Sequence, residues 1–287
     1  ASTSTDAPTL YRLLRALAAA GVLSEEEGRR FALTPIGEQL RSDHPQSLGG
    51  WAAYIGRPYY WDAWGHLLES VRTGENAFHL RSGTDVWSYR AEHPDEGAIF
   101  DRAMVAQTGA SNQAVLDAYD FGRFRTVCDV GGGYGAVLAS LLQKYPAMRG
   151  ILFDQPHVVA NAEDVLRAVA DRCQVVAGSF FESVPEGVDA YILRAIIHDW
   201  EDEQATRILR ACRRAVNGGS LLVIERVVGE PNEDLASKLS DLNMLVSPGG
   251  RERTVEEFRA LFKAAGFELD GVTRTSSGFA VIEGIPE

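Results

Sequence analysis

The spacing of apolar positions changes character along the chain. Near the N-terminus, Leu10, Leu13, Leu14 and Leu17 recur at the interval of one helical face. Asp6 precedes them as a side-chain cap, Pro8 falls in the first turn and Gly21 marks the stop. The next segment, V-L-S-E-E-E-G-R-R-F-A-L-T, reads as a β-hairpin turning near Gly28, and Thr34-Pro35 opens another helix. Helix, hairpin, helix is the outline of a winged-helix unit. Residues 51–104 then carry Trp51, Tyr54, Tyr59, Tyr60, Trp61, Trp64, Phe78, Trp87, Tyr89 and Phe100, followed by Met104. They predict a helical core in which some rings wall the pocket of a flat ligand, since such pockets are mostly apolar.

From residue 125 short apolar runs alternate with helical stretches. Segments 125–130, 149–154, 173–178, 188–194 and 220–225 each read as a buried strand, with helices over stretches such as 136–145 and 201–216. That alternation predicts βαβ units and a mostly parallel sheet. Segments 267–274 and 279–283, separated around Ser277-Gly278, suit an antiparallel hairpin at the sheet edge. The expected organisation is a winged-helix and helical unit over 1–118, serving dimerisation and covering the substrate, then an α/β domain over 119–287. The abrupt start at A-S-T-S-T-D leads us to expect further chain upstream, and the first residues lack the pattern of a secretory leader.

Composition narrows the partners. The chain has 287 residues, 45% hydrophobic and 24% charged, as in an ordinary globular protein. Net charge is −12, with 40 acidic against 28 basic residues, and no basic cluster offsets it. Neutralising phosphates needs such a cluster, so neither nucleic acid nor an anionic membrane surface is expected. The acidic wing (Glu25, Glu26, Glu27) favours dimerisation over DNA binding for the winged-helix unit. No apolar run reaches the length of about 18 residues that a spanning helix needs. Cys128, Cys173 and Cys212 form no C-x-x-C pair, which argues against a disulfide framework or zinc site and for a reducing cytoplasm.

Ligands of such sheets bind at the carboxyl ends of the strands. There the chain places D-V-G-G-G-Y-G (129–135), Asp154, Gly178-Ser179-Phe180, Arg194 and Glu225. Glycines that admit backbone to a ligand, and an acid placed for ribose hydroxyls, imply a nucleoside-containing cofactor. The loop alone also fits a dinucleotide fingerprint, as Gly131-x-Gly133-x-x-Ala136. Asp129 and Gly135 tilt the choice toward a ligand with an ammonium group, and the C-terminal hairpin is atypical of a dinucleotide fold.

With D-V-G-G-G-x-G, F-D-Q-P-H (153–157), R-A-I-I-H-D-W (194–200) and G-G-R-E-R-T (249–254) in order, the chain resembles the S-adenosylmethionine-dependent O-methyltransferases of the plant caffeate/flavonoid type. Their bacterial relatives serve secondary metabolism, including antibiotic biosynthesis. The resemblance runs from the winged-helix segment to the C-terminus. It implies a Rossmann-like seven-stranded domain, S-adenosyl-L-methionine as cofactor and a homodimer. It places the Gly131 loop at the methionine end, Asp154 at the ribose, Ser179 and Phe180 beside the adenine and Arg194 near the ring. The plant pattern has Asp-Met at 179–180 and Lys at 194, so this chain lacks one carboxylate there.

The same resemblance makes His198 the general base, flanked by Glu225 and Glu252. Met104 and Met244, with Phe100 and Asn243, become the acceptor contacts. A phenol with a pKa of about 10 is largely protonated at neutral pH, and histidine suits the removal of its proton. Each residue read singly has a structural alternative. His198 lies in an apolar stretch, Glu225 ends a strand, and Glu252 is placed to cap the helix starting near Thr254. Asp199 reads as a capping or supporting residue and Trp200 as packing. The other histidines show no metal-ligand spacing, so no metal is expected. Methyl transfer to nitrogen, a cofactor-retaining relative with another activity such as hydroxylation, and a winged-helix nucleoside sensor are the competing readings.

Overall fold

A computed structural model describes residues 4–44 and 47–287, apart from the side chains of 107–110. Residues 1–3, 45 and 46 of the expected 1–118 unit lie outside the described residues. The first helix, Ala7–Ala19, starts where the sequence predicts, with the Asp6 carboxylate accepting from the Thr9 N–H at 2.9 Å. Strands β1 (Leu23–Glu26) and β2 (Arg30–Leu33) form the antiparallel hairpin. Thr34 caps the short Pro35–Glu38 helix. No residue of the Ala7–Ala19 helix is buried, and Leu13 is 55% exposed.

The aromatic region folds into short helices and the long Pro94–Ala118 helix. Tyr54, Tyr59, Tyr60 and Phe78 are buried in one cluster with Val246, while Trp51, Trp64, Trp87, Tyr89, Phe100 and Met104 are half-buried against it. Trp61, at 66% exposure, stands outside. Val246 belongs to the Leu235–Val246 helix, so this core is completed by a residue nearly 200 positions downstream of the first rings.

The sheet comprises β3 (Thr126–Val130), β4 (Arg149–Asp154), β5 (Cys173–Ala177), β6 (Ala190–Arg194), β7 (Ser220–Glu225), β8 (Phe267–Arg274) and β9 (Ala280–Pro286). Its order is β5-β4-β3-β6-β7-β9-β8, parallel through β7 and antiparallel beyond. The final strand is thus inserted between β7 and β8, and β8 forms the edge. Consecutive residues alternate between two cores: Tyr191, Leu193, Leu221 and Val223 on one face, Ala190, Ile192, Leu222 and Ile224 on the other. Both faces are covered, so the strands read as unbroken apolar runs. Each such side chain contributes roughly 1.5–3 kcal/mol by burial.

Val115 and Leu116, from the end of the Pro94–Ala118 helix, sit in the second core. That helix therefore joins the N-terminal part to the sheet. All three cysteines are free. Among the described residues no helix is long and apolar enough to cross a membrane.

Candidate active site

The parallel register of β6 and β7 pairs Arg194 with Ile224, which sets Glu225 just beyond the end of β6. There Ala195 takes a left-handed conformation, φ 52°, that side-chain-bearing residues seldom adopt. The bend turns three consecutive N–H groups toward one point. Glu225 Oε1 accepts from Ile196 at 3.0 Å, Ile197 at 2.8 Å and His198 at 3.3 Å. The carbonyls of the same turn are held from the opposite side. Arg251 N–H donates to His198 O at 2.8 Å. The Arg253 guanidinium, 1% exposed and paired with Asp202, donates to Ile197 O at 3.1 Å and Trp200 O at 2.8 Å.

His198 Nδ1 lies 3.0 Å from Glu252 Oε1 and 3.3 Å from Glu225 Oε2. A hydrogen on Nδ1 meets a carboxylate acceptor on either side, which assigns the lone pair of the neutral ring to Nε2. Glu252 is itself fixed: its Oε1 accepts from Ser240 Oγ at 2.6 Å, and its N–H donates to Asp241 Oδ1 at 2.9 Å. The capping alternative for Glu252 is excluded, because Thr254 and Glu257 form the capping box of the Val255–Ala265 helix.

Burial opposes charge on the imidazole, but the Glu225, Glu252 and Asp199 carboxylates outweigh it and raise His198 from 6.5 to about 10. Burial pushes Glu225 up to about 7 against the pull of His198. Burial acts on Glu252 too, yet His198 and Ser240 hold it below its ordinary 4.5. Glu252 is the carboxylate that stays ionised.

Of the capping and supporting roles expected for Asp199, the structure does not show the first. Asp199 makes no capping bond among the described residues; its Oδ1 faces His198 Nε2 at 3.6 Å. Burial raises it to about 6, against His198 and Arg90. Trp200, read as packing, also borders the cavity beside Asp199. It stacks on Trp87 with centroids 6.0 Å apart and meets Phe181 edge-on at 4.8 Å. Asp199, Trp200 and Trp87 share a cavity of about 420 Å³ with Asp85, Glu201 and Gln204.

The cofactor candidates converge beside this turn. A Cβ on Gly131 would stand 2.6 Å from Ile196 Cδ1 and 3.4 Å from Phe180, so loop, turn and ring form one surface. Gly133 N–H donates to Asp154 Oδ2 at 2.8 Å. Asp129 Oδ2 is buried without a hydrogen-bond partner, and burial with the nearby Asp154 raises that carboxyl to about 7. An orphaned carboxylate oxygen under a glycine loop fits a ligand bearing an ammonium group. Ser179 Oγ accepts from Phe181 N–H at 3.3 Å within its own turn. Arg194 reaches elsewhere, donating to Asn112 at 2.9 Å on the Pro94–Ala118 helix and stacking on Phe279. Of the acceptor candidates, Phe100 and Met104 flank the aromatic core and Met244 is buried. Asn243 Oδ1 accepts from Tyr60 Oη at 2.5 Å.

Comparison with known proteins matches residues 64–268 to the O-methyltransferase domain family. The chain belongs to this family. It is 44% identical over 289 residues to the phenazine O-methyltransferase PhzM of Lysobacter antibioticus, covering 100% of this chain and 84% of that protein. It is 39% identical to the 8-amino-8-demethylriboflavin N,N-dimethyltransferase of Streptomyces davaonensis, covering 99% and 83%. The O-methyltransferase NcsB1 from neocarzinostatin biosynthesis, solved with S-adenosyl-L-homocysteine and 1,4-dihydroxy-2-naphthoic acid, superposes with TM-score 0.83 at 33% identity, covering 99% and 86%.

In this O-methyltransferase, donor atoms of His198, Glu225 and Glu252 lie within 4.8 Å of one another, a spacing that a cation also tolerates. Glu225 Oε1 holds three N–H groups and Glu252 Oε1 holds Ser240 and Nδ1, while the Oε2 atoms of both are buried without a hydrogen-bond partner. Arg253 and Ser240 were given no role in the sequence reading. Arg253 and Ser240 lie within or near the quoted G-G-R-E-R-T block, yet only folding aims them at the histidine turn.

Two outcomes follow for the turn. A Cβ on Gly250 would fall 2.2 Å from His198 O and 2.3 Å from Trp200 N, so Gly250→Ala should cost about 1–3 kcal/mol. Thermal unfolding and turnover should fall together. The second concerns protonation. His198 and Glu225 both bind protons more tightly when folded. Their stabilisation is complete below 6.5 and 4.5 respectively and is lost as pH rises through about 10 and about 7. Glu252, held low, acts in the opposite sense on the acid side. Glu225→Gln removes one supporting carboxylate, so the His198 titration followed by NMR should drop by about 1–3 pH units; an unmoved titration would contradict the arrangement.

Proposed function

We propose that this O-methyltransferase transfers a methyl group from S-adenosyl-L-methionine to a hydroxyl of an aromatic, phenolic or polycyclic, small molecule, with His198 as general base. The observation that carries the reading is the imidazole whose Nδ1 is clamped between two buried carboxylates, leaving Nε2 as its basic atom. The Gly131 loop, Asp129, Asp154 and Phe180 hold the cofactor in this reading, with Ser179 and Arg194 supporting that wall. When bound, the cofactor supplies an electrophilic methyl on a cationic sulfonium, whose charge also opposes that on His198. His198 Nε2 takes the acceptor's hydroxyl proton, and Glu225 and Glu252 stabilise the imidazolium that results. Phe100, Met104 and Met244 present the acceptor ring, and Asn243 braces the wall through Tyr60. Orienting the acceptor oxygen contributes roughly 7–11 kcal/mol to such a reaction.

This scheme uses no metal: the carboxylates of Glu225 and Glu252 serve the imidazole and the N–H groups of its turn. Residues 1–118 form the dimerisation and substrate-covering unit and 119–287 the transferase domain. The homodimer reading draws support from apolar side chains left in water by one chain: Leu13, Ile36 and Leu40, and Leu235 and Leu239 on the Leu235–Val246 helix. A cytoplasmic setting suits three free cysteines. A second reading, transfer to nitrogen, is favoured by the N,N-dimethyltransferase relative; product masses from matched hydroxy and amino acceptors separate the two.

His198→Ala should reduce turnover about 10²–10⁴-fold while calorimetric affinity for S-adenosyl-L-methionine stays within a few-fold. Full activity in that variant would remove the general-base assignment. Turnover should also survive exhaustive chelation with EDTA; a loss restored by a divalent cation would assign the cluster to a metal instead.

A further inference from the structure

Arg90, on the Val86–Glu92 helix, has no part in the scheme above. It is 7% exposed. Its guanidinium lies 3.6 Å from the Phe100 ring centroid and 5.0 Å from that of Trp87. It donates to the phenolic oxygens of Tyr54 at 3.0 Å and Tyr59 at 3.5 Å. Among the described residues no carboxylate stands within ion-pair distance of it. Arg253, at 1% exposure, is matched by Asp202 and by carbonyl oxygens.

A guanidinium taken out of water without an anion is costly, and apolar residues of similar volume generally serve stability better in such a place. Ring faces and phenolic oxygens offset part of that cost. They are neutral, and the carboxylates that act on the guanidinium, Asp199 and Asp101, do so from beyond ion-pair distance. A cation kept under those conditions suits a ligand that brings its own negative charge.

The neighbours of Arg90 say where such a ligand lies. Phe100 is a proposed wall of the acceptor ring. Trp87 shares the cavity of about 420 Å³ with Asp199, and Asp199 faces the basic Nε2 of His198. Arg90 is thus one ring removed from the reaction chamber. The aromatic surroundings disfavour a hydrated inorganic ion. A planar fork of donors matches a carboxylate in two-point fashion, and a carboxylate attached to a flat ring suits a cage of rings.

We infer that Arg90 selects acceptors carrying a carboxylate on the aromatic ring, binding that group while the ring hydroxyl is presented to His198. The inference rests on the methyl-transfer reading and adds the acceptor's charge to it. Asp199 is the competing anion: its carboxylate acts on Arg90 from beyond ion-pair distance. If Arg90 serves only Asp199 or the fold, its loss will harm acid and neutral acceptors alike.

The test compares a hydroxynaphthoic acid with its carboxamide, close in shape and differing in charge. The wild-type protein should favour the acid in kcat/KM by about 30-fold or more. Arg90→Met should bring the acid-to-amide ratio near one, mainly through a higher KM for the acid. Arg90→Lys keeps the charge without the fork and should give an intermediate ratio; it carries the comparison if the Met variant unfolds. An unbiased wild-type protein, or a ratio unchanged in both variants, would overturn the inference. Absence of transfer to either compound would count against the methyl-transfer reading. Calorimetric binding of the acid to wild type and variants would then still decide the role of Arg90, with equal affinities overturning it.

Discussion

One carboxylate oxygen organises the centre of this protein. Glu225 Oε1 gathers three successive N–H groups and thereby holds a strained turn closed at the end of β6. Without an acceptor at that point, three buried donors would lack partners, each a loss of about 1–3 kcal/mol, and Ala195 would have little reason to remain at positive φ. The other oxygen of the same side chain faces His198 Nδ1. Backbone geometry and imidazole chemistry are therefore set by one residue, which is fully buried and sits on the strand next door.

Charge is concentrated around that point. Three carboxylates surround one imidazole, with Arg90 acting on Asp199 from the N-terminal side. A cluster with more acids than bases favours imidazolium, which is the form that general-base catalysis produces. It also holds unmet negative charge for a cationic cofactor. The glycine loop repeats the pattern with Asp129 and Asp154. Buried carboxylates thus gather at both the histidine turn and the glycine loop, while the aromatic wall contributes a buried cation, Arg90.

The two parts of the chain meet through rings and a helix. Trp87 stacks on Trp200, the helix carrying Ser111 and Asn112 engages Arg194, and Val246 completes the aromatic core. The site is consequently assembled across positions far apart in sequence. A displacement of the N-terminal helices would alter the acceptor wall, the surroundings of Asp199 and the cofactor side together.

Local pattern was enough for the elements themselves. The Asp6 cap, the hairpin at Gly28, the five parallel strands and the antiparallel end were legible because caps, turns and doubly buried strands have signatures within a few residues. The ordered motifs likewise marked the family, which the comparisons bear out, and drew attention to His198, Glu225 and Glu252. Other features depended on distance in space. Whether Glu252 caps a helix or meets an imidazole was settled by Thr254 and Glu257 taking the cap. Asp199, read as a supporting residue, faces Nε2 because the turn rotates it there. Arg194 points to the Pro94–Ala118 helix and the last strand enters between β7 and β8, neither of which spacing reveals. The sequence by itself determined which segments are helix or strand and which residue types stand at the strand ends. Only the tertiary structure decided which of those groups share a buried, weakly screened environment, and there a separation of three ångströms determines protonation and role.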